Sequence, residues 1–95
     1  MRAEFDSRAD ALQIYLDEAP RWTDGEDIAG AWVDYAPGGR PSGIELLAPR
    51  GGLQPLRAAA ERLGLDGEAL VAGACAAVAA PDRTVTVAVA GRAVA

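Results

Sequence analysis

The chain has 95 residues, enough for one small core and too few for a second. Hydrophobic residues make up 51% and charged residues 24%, so the chain is expected to fold. Its net charge of −5 repels phosphate backbones and anionic lipid, so neither nucleic acid nor a membrane is an expected partner; a basic protein is.

The first strand is predicted over residues 11–17, with a short lead-in at 3–6. Leu12, Ile14 and Leu16 alternate there with Gln13, Tyr15 and Asp17. Residues 20–27 read as a loop, because they hold a Pro, an Asp-Gly pair and clustered acids. A second strand follows over 28–36 and a third over 42–48. Pro37, Gly38, Gly39 and Arg40 turn one into the other, so the two form a hairpin. Pairing Val33 opposite Ile44 gives an apolar face of Val33, Tyr35, Ile44, Leu46, Leu12, Ile14 and Leu16. The other face is mixed and carries Trp32, Asp34, Glu45, Leu47, Gln13 and Tyr15.

After Arg50, Gly51 and Gly52 the pattern becomes helical. Pro55 suits a first helical turn, and Leu56, Ala59, Ala60 and Leu63 recur at helical spacing. Gly64 suits the stop, Asp66 can cap a second helix, and Glu68 falls in its first turn. Leu70, Ala74 and Val78 make one stripe of that helix. Ala69, Gly73 and Ala77 make a ridge of small residues that admits another backbone, and Pro81 ends the helix. Residues 84–90 alternate Thr or Ala with Val85, Val87 and Val89, the clearest period-two signal in the chain.

The expected fold is therefore α+β in a single domain, 1–95. It comprises a three-stranded antiparallel β-meander over 1–50, an αα-hairpin over 53–80 and a C-terminal fourth strand over 83–91. The 22 alanines bury little area, so the core is small and a homodimer is expected. Sheet edges, the alanine ridge or an exchanged final strand are the routes to it. Residues 1–10 carry charges of both signs and do not read as a signal peptide. The uncharged run 69–81, of 13 residues, is too short to span a bilayer, so the cytoplasm is expected.

Phe5 and Asp6, then Ala9, Asp10, Ala11, Leu12, Ile14 and Leu16, resemble the opening of a bacterial family, domain of unknown function 2283. The hairpin is also similar to that family's, through Val33, Asp34, Tyr35, Gly39, Arg40, Gly43, Ile44 and Glu45. Gln13 stands where the family usually has Tyr, Ala36 replaces an Asp, and Pro41 and Ser42 replace apolar residues. The resemblance covers residues 5–47. Some members lie beside small toxin-like genes, which implies an antitoxin-like role.

No catalytic residue, cofactor or metal is assigned. Without His, the usual general base and commonest metal ligand are absent. Cys75 is the only cysteine, which excludes an intrachain disulfide and a CxxC metal site. It lies among alanines and is expected to be a small buried hydrophobe. Asp34 and Glu45, with Asp10 nearby, could form an acid/base or metal pair; a solvated strand face is the plainer reading. Residues 66–80 hold two acids and no Arg, Lys, Asn or Gln, so the helix pair is not expected to read DNA. What remains is a non-catalytic interaction module. Its expected partner-binding face is Tyr15, Trp32, Asp34, Glu45 and Leu47, unless Trp22 folds over it. A self-assembling domain with no stable hetero-partner is the alternative.

Overall fold

The computed structural model describes residues 1–17 and 24–86. In chain order the elements are β1 (Arg2–Asp6), β2 (Ala11–Tyr15), β3 (Asp24–Ile28), β4 (Ala31–Tyr35), β5 (Pro41–Leu47), α1 (Gln54–Leu63), α2 (Gly67–Ala79) and β6 (Thr84–Thr86). The six strands form one sheet in the order β3-β4-β5-β2-β1-β6, and every pairing is antiparallel. Both helices lie on one face. α1 packs on β3, β4 and β5, and α2 on β1, β2 and β6.

This corrects the expected three-stranded meander with one added strand. β3 occupies ground read as a loop. Its acids and glycine disfavour a strand, but tertiary contacts override that preference. Ala29 and Gly30 both take positive φ, 53° and 100°, which suits the two-residue turn of a tight hairpin. Ile28 is buried, and Glu26 accepts a hydrogen bond from the Tyr35 hydroxyl at 2.7 Å. Arg62 of α1 reaches the same carboxylate at 3.8 Å. Burial, and then this bond to Glu26, raise the Tyr35 pKa above its ordinary 10.0. The acids of β3 also suit a sheet edge, where charge discourages pairing with other chains.

β1 is a full strand rather than a lead-in. Ala3 and Phe5 are buried between Arg2, Glu4 and Asp6. Asp6 Oδ1 accepts the backbone N–H groups of Arg8 (3.0 Å) and Ala9 (3.1 Å), which closes the turn into β2. The order also differs from a meander, because β2 lies beside β5 and not beside β4. Leu12 faces Leu46 and Ile14 faces Ile44, so that pairing completes the apolar face. Of the predicted last strand, Thr84–Thr86 pairs with β1; residues 87–90 lie outside the described residues.

The hairpin of β4 and β5 does pair Val33 with Ile44. The helices follow their end signals. Gly64 ends α1 at φ 71°, and the Asp66 carboxylate accepts the Ala69 N–H at 3.1 Å. The core is one cluster. Phe5, Leu12, Ile14, Val33 and Ile44 of the sheet meet Leu56, Ala59, Leu70, Ala74 and Ala77 of the helices. Of the small-residue ridge, Gly73 and Ala77 are buried within the chain and Ala69 is half-buried. The buried Ser42 hydroxyl donates to the Asp34 carbonyl at 3.1 Å.

Candidate functional site

With both helices on one face, the alternate residues of each strand form the opposite face. Registers place them in rows that cross the sheet. One row runs Asp27, Trp32, Glu45, Gln13, Glu4 and Thr84. The next runs Gly25, Asp34, Gly43, Tyr15, Arg2 and Thr86. Leu47 faces Ala11, which faces Asp6.

Trp32 is held in place although it is 44% exposed. Its Nε1–H donates to Asp34 Oδ1 at 2.9 Å. Its ring lies against Gly25, where a Cβ would fall 2.5 Å from Cζ2. Only glycine leaves the indole that seat. Asp27 and Glu45 are its direct neighbours on the flanking strands, so carboxylates stand on both sides. Leu47, 67% exposed, lies beyond Glu45 on the same strand. A Cβ at Gly43 would come within 3.2 Å of Gln13 Nε2 and 3.9 Å of Asp34 Oδ2; glycine keeps room there for both side chains.

Tyr15 has a different setting. The Arg2 guanidinium lies 3.9 Å from its ring centroid. The Tyr15 hydroxyl donates to Glu4 Oε1 at 3.4 Å, and Arg2 Nη1 stands 3.4 Å from Glu4 Oε2. The Thr84 hydroxyl also donates to Glu4. This half of the face is filled by the chain's own side chains.

All five residues expected to form a partner-binding face share this open face. They are not one tight cluster. Trp32 and Tyr15 sit two strands apart and in different rows, about 12 Å at the usual strand and residue spacings. Trp22, proposed as a cover, lies outside the described residues. Sequence reasoning misses Asp27 and Gly25, because the residues of β3 have the composition of a loop. The Ala29-Gly30 pair between Ile28 and Ala31 was the signal that marked a hairpin there.

Asp34 and Glu45 are not cross-strand partners; each faces a different residue across β4 and β5. Asp10 lies in the β1–β2 turn at φ 51°, where its carbonyl accepts the Ala48 N–H, and Asp6 rather than Asp10 binds the turn amides. Among the described residues, no three His, Cys, Asp or Glu side chains are grouped to hold a metal ion. Among the described residues, two open clefts lie away from Asp34 and Glu45. One, of about 290 Å³, is lined by Glu4, Asp6, Asp82 and Thr84, and the other, of about 400 Å³, by Pro49, Leu53, Cys75 and Val78. Cys75 is exposed, which corrects the expectation of a buried thiol. The core stripe of α2 runs through Leu70, Ala74 and Ala77, and position 75 turns away from it. No helix among the described residues is long and apolar enough to cross a membrane.

No protein-family model, curated protein or solved structure matches this chain. The comparisons add nothing to the resemblance over residues 5–47, so the site stands on its own chemistry.

Proposed function

We propose that the protein is a non-catalytic interaction module whose open sheet face binds a basic protein partner. An antitoxin-like role in the cytoplasm, with the domain working as a homodimer, is the setting we propose for it. One observation carries the reading. Trp32 and Leu47 stand exposed on the face that the helices leave uncovered, among the carboxylates of Asp27, Asp34 and Glu45. Trp is a frequent anchor of protein interfaces, and the acidic surround favours a cationic partner.

The test is retention of partners by the tagged protein at low and moderate salt, with each retained species identified by mass. The expected result is a stoichiometric basic protein that is lost as salt rises and lost with Trp32→Ala or Leu47→Asp. Retention that ignores both substitutions rules the open face out.

Self-assembly is the second reading, and α2 favours it. After Glu68 this helix carries no charge, and its exposed positions include Ala72, Cys75 and Ala79. An oligomer that persists in Trp32→Ala and dissociates in Ala72→Arg, followed by light scattering, would assign association to that helix.

A further inference from the structure

We propose that the Trp32 indole, with Asp34, Glu45 and Asp27 around it, seats an arginine side chain of the partner. The inference rests on the open face being a docking surface and names the group it takes. The same face already holds a filled version of this arrangement. Arg2 stacks on Tyr15 at 3.9 Å, directly across the β1–β2 pairing, while Glu4 accepts from the tyrosine and pairs with the guanidinium. Trp32 has a larger ring and more carboxylate around it. Asp34 lies two residues along its own strand, and Asp27 and Glu45 lie opposite it on the two flanking strands.

Among the described residues, no guanidinium stacks on Trp32. Among the described residues, the two guanidinium–ring contacts are Arg2 on Tyr15 and Arg50 on Phe5. Arg40 pairs with Asp17, Arg57 with Glu68 and Arg62 with Glu26. Exposed Glu45 has no hydrogen bond or ion pair among the described residues. The indole is already fixed by Asp34 and seated on Gly25, so binding need not order it. A planar, weakly hydrated guanidinium stacks on an indole and forks to a carboxylate; an ammonium does only part of this.

The experiment follows the two indole Nε1–H resonances by NMR, with Trp32→Phe assigning one of them. The probes are acetyl-Gly-Arg-Gly-Arg-Gly-amide and its lysine and citrulline counterparts, added at low salt. The arginine peptide is expected to move the Trp32 resonance saturably. The lysine peptide should bind more weakly, and the uncharged citrulline peptide about tenfold more weakly still than arginine. Trp32→Leu, followed on the backbone amides of Asp34 and Glu45, should weaken the arginine peptide by about two- to fivefold, the range of an exposed cation–π contact. Glu45→Gln should act in the same direction. Equal binding of the citrulline or lysine peptide overturns the assignment, as does unchanged affinity in both Glu45→Gln and Asp34→Asn. The docking face itself is judged separately, by loss of the retained partner in Leu47→Asp.

Discussion

Along β4 the side chains of Ala31, Val33 and Tyr35 turn toward the helices, and those of Trp32 and Asp34 turn away. The same strand thus builds two surfaces of opposite character. The covered one is closed by α1 and α2 and joins Phe5, Leu12, Ile14, Val33 and Ile44 into a continuous apolar layer. The open one carries carboxylates, an exposed indole and an exposed leucine. Covered residues are explained by stability, since each loses its apolar surface to the core. Trp32 and Leu47 are explained by it only in part, because 44% and 67% of their surfaces stay in water.

The largest expected effect tests that contrast directly. Phe5 is fully buried, and Phe5→Ala should cost about 3–5 kcal/mol in urea unfolding, enough to leave so small a domain largely unfolded. Trp32→Ala should cost less, about 1–2 kcal/mol, from the bond to Asp34 and the ring's packing on Gly25. If the two substitutions cost the same, the open face is part of the core and the division between the surfaces fails.

Gly25→Ala gives a subtler test, because it touches the indole without removing it. The added Cβ would meet the Trp32 ring at 2.5 Å, so the exposed indole must swing away from Asp34. Two opposing terms act on stability. A strand gains about 0.5–1 kcal/mol when Gly becomes Ala, and the lost hydrogen bond costs about 0.5–1.5 kcal/mol. The net change in unfolding free energy should stay within about 1 kcal/mol. The Trp32 Nε1–H resonance should nevertheless move, and partner retention should fall as in Trp32→Ala. An unmoved resonance would show that the seat on Gly25 is not what positions the ring.

The contrast between faces was largely legible in the sequence, because period two is a strong signal once a strand is recognised. Val33 does face Ile44, and the mixed residues Gln13, Tyr15, Trp32, Asp34, Glu45 and Leu47 do share a face. The helix pair was legible through Pro55, Gly64 and Asp66, whose end chemistry is local. β3 was not, because the residues Asp24, Gly25, Glu26 and Asp27 have turn-like composition. What makes them a strand is remote: Tyr35 and Arg62 on Glu26, and the burial of Ile28. Missing β3 hid Asp27 and Gly25, half of the surroundings of Trp32. The position of β2 beside β5 was hidden for a similar reason, since pairing order depends on which apolar faces meet and not on chain order. The exposure of Cys75 was obscured by a helix of almost uniform small residues, in which composition does not say which side faces the core.

The smallest effect lies at the rim, where neither face decides stability. Asp82, at φ 64°, accepts the Ser7 backbone N–H at 2.9 Å and the Ser7 hydroxyl at 2.7 Å, while its own N–H donates to the Phe5 carbonyl at 2.7 Å. These bonds tie the β1–β2 turn to the connection between α2 and β6. The Ser7 backbone bond first, then its hydroxyl, hold the Asp82 pKa below the ordinary 3.8, and nearby Arg8 adds to this. A lowered carboxylate pKa means that the ionised form is the one favoured by folding. The contribution is therefore fully present above about pH 4 and is lost as pH falls through the depressed value. Urea unfolding across that acid range should show a component in the wild type that disappears in Asp82→Asn, with both proteins keeping the Trp32 resonance at neutral pH. An identical acid limb in the two would mean that Ser7 and Asp82 do not clasp the rim in solution. A moved Trp32 resonance in Asp82→Asn would mean that the rim and the open face are coupled, so that the seat of the indole depends on how β1 is anchored.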